Sequence, residues 1–139
     1  MPGEFNGKLV VVTGGSRGIG RGIALAFARE GAQTVLAASS QSNLESARKT
    51  IAAEGPEPIV VAADLRKLDG CEHVFKHVQE KLHRCDVLVN NAGATRGGNF
   101  LELRDEAWLD GFALKFFGAV RLTVFSGRCS RQHTAMSSI

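Results

Sequence analysis

The glycine-rich stretch at residues 9–20, LVVVTGGSRGIG, contains the residue types that point most directly to chemistry. A β-branched run ends at Thr13, a turn rich in glycine follows, and an apolar helical pattern begins at Ile19. Glycine lets main-chain N–H groups approach an anion, and a helix N-terminus adds about half a positive charge. We therefore predict a site for the diphosphate of a nucleotide, built from Gly14, Ser16, Arg17, Gly18, Ile19 and Gly20.

Alternating hydrophobic patterns predict the elements that position this turn. Apolar runs predict strands, and patterns of helical period predict helices between them, so the chain reads as a parallel sheet with helices on both faces. This is an α/β, doubly wound fold, in which ligands bind at the carboxyl ends of the strands. The predicted strands are residues 8–13, 34–38, 59–63 and 87–90, and the predicted helices are residues 18–30, 43–54, 68–83 and 104–125.

Polar segments follow three of these predicted strands. Ser39-Ser40 comes after the second strand, Asp64-Leu65 after the third, and residues 90–93, NNAG, after the fourth. Since the carboxyl ends of parallel strands share one edge of the sheet, we expect these segments to lie beside the glycine turn. Each residue type also suits an ordinary helix cap or turn, so none of the three segments identifies a site by itself.

Two motifs together resemble those of the short-chain dehydrogenase/reductase family. Residues 13–20, TGGSRGIG, are similar to its T-G-x-x-x-G-I-G turn, and Asn90-Asn91-Ala92-Gly93 matches its N-N-A-G motif. The resemblance runs from about Lys8 to about Thr123 and implies a Rossmann-type dinucleotide-binding fold. It also implies a nicotinamide cofactor, and hydride transfer between that cofactor and a small-molecule carbonyl or alcohol.

The resemblance assigns expected roles to the remaining site residues. Asp64 is expected to accept a hydrogen bond from the adenine amino group, and the main chain at Leu65 to help fix the ring. Asn90 and Asn91 are expected to tie neighbouring strand ends together. Ala92 completes that loop, and Gly93 is expected to allow close passage of the ribose and nicotinamide.

The end of the second predicted strand favours NADP over NAD, although NAD stays possible. NAD sites usually place a carboxylate here against the ribose 2′-hydroxyl, and residues 37–43, AASSQSN, contain none. Arg17 and the hydroxyls of Ser39 and Ser40 suit a 2′-phosphate instead. The alternative for Arg17 is an arginine on the solvated surface.

The chain departs from the family pattern at its catalytic residues. It contains no tyrosine, so the Tyr-x-x-x-Lys pair of the family is absent and we predict no catalytic residue. Lys115 stands where the family pattern has its catalytic asparagine. We predict an incomplete Rossmann-type domain over residues 1–125, ending after the fourth strand and its following helix, and an irregular tail over residues 126–139. In that tail, residues 137–139, SSI, are similar to the strand end that carries the family's catalytic serine, but a match over three residues favours chance, so we assign no catalytic serine there.

Composition excludes several classes of protein. The net charge of +3 is too small to indicate a nucleic-acid-binding protein. No apolar run approaches the ~20 residues that a membrane span requires. The three cysteines are widely spaced, which favours reduced thiols in a cytoplasmic protein. His73 and His77 lie one helical turn apart but have no obvious third partner, so we predict no metal site.

The sequence leaves two functions open. The first is an NADP-dependent oxidoreductase, and the second is a nucleotide-binding module or fragment without catalysis, which the missing tyrosine favours.

An apolar stripe that includes Trp108, Phe112 and Phe116 marks one side of the last predicted helix. We therefore also predict a homo-oligomer or a self-associating chain.

Overall fold

The computed structural model describes residues 3–93, 97–129 and 137–138, and its strands and helices alternate as predicted. A π-helical segment (Ala113–Gly118) joins the fourth helix to the fifth. The strands are β1 (Leu9–Thr13), β2 (Gln33–Ala38), β3 (Ile59–Ala62), β4 (Val87–Val89) and β5 (Ser137–Ser138). The helices are α1 (Gly18–Arg29), α2 (Gln41–Ala52), α3 (Leu68–Leu82), α4 (Asp105–Phe112) and α5 (Ala119–Cys129).

The strands form one parallel sheet in the order β3-β2-β1-β4-β5, which confirms the doubly wound fold. β1 lies in the centre, where Val11 is opposite Val35 of β2 and Leu88 of β4. The order runs outward in both directions from β1. The carboxyl ends of β1 and β4 are therefore neighbours at the point where the direction changes, which is where ligands bind in such sheets.

Side chains of β1 alternate between two buried layers. Leu9 and Val11 face α3 and α5, and Val10 and Val12 face α1 and α2. All four are at most 3% exposed. This complete burial explains the continuous apolar run in the sequence, because a parallel strand covered on both faces has no polar side.

The last part of the chain differs from the sequence-based prediction. The final helix extends to Cys129 rather than ending at Phe125, so residues 126–129 are helical and do not belong to an irregular tail. A wide π turn interrupts that helix at residues 113–118, which periodicity alone did not predict. Ser137 and Ser138 pair with Val87 and Leu88 as a short added strand, formed by backbone pairing that a two-residue segment cannot signal in sequence.

Candidate nucleotide-binding cleft

The turn between β1 and α1 has the geometry of an anion-binding site. Gly14 and Gly18 adopt positive φ angles of 67° and 57°, which side chains with a Cβ rarely tolerate. The first turn of α1 contains no acidic residue, and the Arg17 side chain does not cap it. Its main-chain N–H groups and the positive end of the helix dipole are therefore available to an anion.

Gly20 supports the turn from behind. A Cβ built on Gly20 falls 2.8 Å from the carbonyl carbon of Gly14, and closer still to the Gly14 oxygen and the Asn91 side-chain nitrogen. Gly20 does not line the cleft, unlike the other glycines predicted to bind the nucleotide. Its role is to let α1 approach the turn closely.

Thr13 joins the glycine turn to the loop after β4. Its buried hydroxyl donates to the Val89 carbonyl at 3.2 Å and accepts from the main-chain N–H groups of Asn91 and Ala92, both at 3.0 Å. The Asn91 side chain donates to the Gly14 carbonyl at 3.3 Å. The Asn91 side chain therefore joins the loop after β4 to the turn after β1, and Thr13 is a supporting residue that the predicted site does not include.

Asn90 faces the opposite direction. Its side-chain nitrogen donates to the Thr123 hydroxyl at 3.2 Å, so it joins β4 to α5. Thr123 in turn donates to the Ala119 carbonyl at 2.8 Å, within α5. Asn90 is therefore outside the cleft lining, because successive residues at a strand end point to opposite faces.

The predicted residues otherwise meet in one open cleft of about 500 Å³ at the carboxyl ends of β1–β4. Four further residues line it that the predicted site did not include: Ala38, Ala63, Arg66 and Leu114. The predicted residues that line it are Gly14, Ser16, Arg17, Gly18, Ile19, Ser39, Asp64, Leu65, Asn91, Ala92 and Gly93.

The two serines after β2 have different surroundings. Ser39 is exposed and lines the cleft. Ser40 caps α2, because its hydroxyl accepts from the Asn43 N–H at 3.2 Å, and it lies outside the lining. Arg17 also lines the cleft, is exposed, and has no ion-pair partner among the residues that the structure describes. A cation and a hydroxyl therefore line the cleft next to a segment, residues 37–43, that contains no carboxylate.

A charged pair forms the wall beyond β3. Arg66 donates from Nε to Asp64 Oδ1 at 3.0 Å and from Nη2 to Oδ2 at 3.3 Å. Hydrogen bonding and charge from Arg66 hold the pKa of Asp64 below its ordinary value, against a smaller opposing effect of burial. Asp64 therefore remains ionised and able to accept a hydrogen bond at neutral pH.

Lys115 belongs to the π-helical segment and lies beside Gly93, outside the cleft lining. A Cβ built on Gly93 would be 3.8 Å from Lys115 Cδ, so the lysine stem passes beside this glycine. Lys115 also borders an apolar groove of about 490 Å³ whose lining includes Trp108, Phe112 and Phe116.

Outside the cleft, the described part of the chain contains no group of three or more candidate metal ligands. The His73 and His77 rings are 6.3 Å apart on α3. Cys71 and Cys129 are free cysteines, and the buried Cys85 thiol donates to the Val87 carbonyl at 3.5 Å. No helix among the described residues is long and apolar enough to span a bilayer.

A central β1, a glycine turn and a cleft at the switch point of the sheet define a parallel α/β protein of the nucleotide-binding class. A sequence profile described as short chain dehydrogenase matches residues 8–130. The chain belongs to the short-chain dehydrogenase family of oxidoreductases.

Individual relatives agree with this assignment. The chain is 36% identical over 107 residues to the 3-oxoacyl-acyl-carrier-protein reductase FabG of Pseudomonas aeruginosa, which is 77% of this chain and 43% of that protein. L-sorbose reductase from Gluconobacter frateurii, crystallised with NADPH and L-sorbose, superposes with a TM-score of 0.93 at 33% identity, over 99% of this chain and 53% of that chain. A metagenomic short-chain oxidoreductase in complex with NADP superposes with a TM-score of 0.85 at 33% identity. The match covers 91% of this chain and 57% of that chain. The chain spans about half the length of the relatives it matches.

Proposed function

We propose that this chain forms the NADP-binding part of a short-chain oxidoreductase, with the cofactor along the cleft. The observation that supports this most strongly is the glycine turn, where Gly14 and Gly18 adopt positive φ and Gly20 has no room for a Cβ. The uncapped first turn of α1 presents N–H groups to the same place. A diphosphate fits this combination because it supplies the negative charge and the acceptor oxygens that the turn lacks.

The proposed orientation places the adenine at the third strand and the nicotinamide at the fourth. Asp64 supplies an ionised acceptor for the adenine amino group, and Leu65 lies beside it in the lining. Asn91, Ala92 and Gly93 border the other end, where Gly93 leaves room beside Lys115. In this arrangement Gly20 and Asn90 act indirectly, by packing behind the turn and by holding β4 to α5.

The proposed preference for NADP depends on Arg17 and Ser39. Both line the cleft near the end of β2, where residues 37–43 contain no carboxylate that would repel a 2′-phosphate. Solved relatives were crystallised with NADPH or NADP, which supports the same choice. Ser40 is not included in the proposal, because its hydroxyl caps α2.

The proposed reaction of the whole protein is hydride transfer between the nicotinamide and a small-molecule carbonyl or alcohol, which is the chemistry that the cofactor supplies when bound. The contribution of this chain is to bind and orient the dinucleotide. It contains no tyrosine to exchange a proton with the substrate oxygen, so we propose that it binds NADP without turnover. Oxidation of NADPH with a panel of ketones by this chain alone would instead favour the catalytic alternative.

Fluorescence titration with NADPH and NADH tests the proposed cofactor site. Arg17→Ala is expected to weaken NADPH binding by about tenfold, because it removes a charge-assisted hydrogen bond to a phosphate. Binding of NADH should change little, since an exposed charge without a partner contributes little. Arg21→Ala is the matched control, because it removes the same charge one turn further along α1 and outside the cleft lining. A wild-type chain that prefers NADH tenfold would contradict the assignment.

We also propose that the chain self-associates in the cytoplasm. Trp108, Phe112, Phe116 and Phe117 are large apolar residues that are 39–56% exposed, and clustered exposed apolar side chains are typical of interaction surfaces. The cysteines are few and widely spaced in the sequence, which favours a reducing compartment. Size-exclusion chromatography with thermal melting tests this proposal, and a monomer with a high Tm would contradict it.

A further inference from the structure

Arg66 is the one cleft-lining residue whose guanidinium is shared between two carboxylates among the residues that the structure describes. Its Nε and Nη2 groups face Asp64, and its Nη1 group donates to both oxygens of Asp110, at 3.0 and 3.1 Å. Asp110 belongs to α4, and Arg66 belongs to the loop between β3 and α3. The planar guanidinium therefore spans from the cleft wall to a helix that is distant in sequence.

Arg66 occupies most of the hydrogen-bonding capacity of Asp64. A carboxylate offers about four acceptor positions, two on each oxygen. Asp64 Oδ1 accepts from the Arg66 main-chain N–H at 3.1 Å and from Nε at 3.0 Å, and Oδ2 accepts from Nη2 at 3.3 Å. One acceptor position is left, and it lies on Oδ2.

We infer that Arg66 is a positioning residue that sets the base specificity of the cleft, by fixing the Asp64 carboxylate so that the remaining position on Oδ2 accepts the exocyclic amino group of adenine. A 6-oxo purine presents a carbonyl oxygen at that place, which would face the carboxylate without a proton between them. Discrimination therefore comes from repulsion of the wrong base as well as from the hydrogen bond to the right one. This inference rests on the proposed binding of NADP.

The surroundings of Arg66 keep it in this orientation. Arg121 of α5 donates to the Arg66 carbonyl at 3.3 Å, and the Arg121 guanidinium lies 5.8 Å from the centre of the Phe117 ring. Asp110 holds the Nη1 side. The main chain and the side chain of Arg66 are thus held by different helices. A lysine could replace the charge but not the fork that reaches both carboxylates.

The test compares NADPH with reduced nicotinamide hypoxanthine dinucleotide phosphate, in which a carbonyl replaces the adenine amino group. The wild-type chain is expected to bind NADPH about tenfold more tightly, the size of one charge-assisted hydrogen bond. In Arg66→Gln the ratio should fall below about threefold, because the Asp64 carboxylate is free to turn. Arg66→Lys should keep the charge and still fail to restore the ratio.

Arg48→Gln is the matched control, because Arg48 is also shared between two carboxylates, Glu45 and Glu57, but lies on α2 outside the cleft lining. It should keep the wild-type ratio. Circular dichroism of each variant checks the fold. If Arg66→Gln lowers Tm and leaves the ratio unchanged, Arg66 is only a structural brace and the inference is wrong. Equal loss of both ligands in Arg66→Gln would also overturn it. A wild-type chain that binds neither ligand would refute the proposed function itself.

Discussion

The structure predicts that Gly20→Ala destabilises the chain, although replacing a glycine in a helix by alanine usually stabilises it. Gly20 lies in the first turn of α1, and alanine is ordinarily the better helix former by about 0.8–1 kcal/mol. At this position, however, the new Cβ would fall 2.8 Å from the carbonyl carbon of Gly14, and closer still to the Gly14 oxygen. Optimal separation of non-bonded carbon atoms is about 3.5–4.0 Å, so the turn and the helix must move apart.

The expected magnitude combines two losses and one gain. Overpacking costs about 1–3 kcal/mol, and loss of the hydrogen bond from Asn91 to the Gly14 carbonyl costs about 0.5–1.5 kcal/mol. The higher helix propensity of alanine raises the free energy of unfolding by about 1 kcal/mol. We therefore expect Gly20→Ala to lower the free energy of unfolding by about 0.5–3.5 kcal/mol, and to weaken NADPH binding because the displaced turn is the proposed diphosphate site.

Urea denaturation followed by circular dichroism measures the stability change, and NADPH fluorescence measures the affinity. Gly22→Ala is the matched control, since Gly22 lies in the same helix and a Cβ there has no neighbour within 4 Å. That variant should gain about 0.5–1 kcal/mol and bind NADPH normally. The steric reasoning is refuted if Gly20→Ala stabilises the chain as Gly22→Ala does.

Three further predictions concern other buried or charged groups. Thr13→Val should lower the free energy of unfolding in urea by about 2–3 kcal/mol, because it removes the acceptor of the Asn91 and Ala92 main-chain N–H groups. Thr34→Val should raise the free energy of unfolding by about 1 kcal/mol, because the buried Thr34 hydroxyl has no partner among the described residues. The hydrogen bond from Arg66 lowers the pKa of Asp64 in the folded chain, so the Asp64 carboxylate takes up a proton more readily in the unfolded chain. The free energy of unfolding should therefore fall as the pH drops below about 4. Asp64→Asn should make this fall shallower in unfolding curves recorded from about pH 6 to about pH 3. Burial raises the pKa of Cys85 to about 12, so mass spectrometry should find this thiol unlabelled by iodoacetamide at pH 8 until the chain unfolds.

The parts of the fold that follow from local pattern could be predicted from the sequence. The apolar run of β1 and the glycines after it predict a buried strand and a turn with positive φ angles, because burial on two faces and positive φ each restrict the residue types. Gly31 follows the C-cap residue of α1 with a φ of 87°, which is where helices most often place a glycine. These features depend on residues close to one another in the chain.

The features that the sequence did not predict depend on distant contacts. The pair Arg66–Asp110 joins residues 44 positions apart, and no periodicity links them. Asn90 and Asn91 are identical in type, and only the positions of α5 and the glycine turn decide which of them faces the cleft. Ser40 is a local exception: it resembles a phosphate ligand in sequence, but its hydroxyl caps α2 by accepting from Asn43, three residues further on.

The most direct test of the central proposal is a titration of the ¹⁵N-labelled chain with NADP⁺, followed through the main-chain amide signals in two-dimensional NMR. If the glycine turn binds the diphosphate, the amides of Arg17, Gly18 and Ile19 should shift in a saturable way, and those on the far side of the sheet should not. Unchanged amides at these three residues in a folded sample, with NADP⁺ at millimolar concentration, would contradict the proposal.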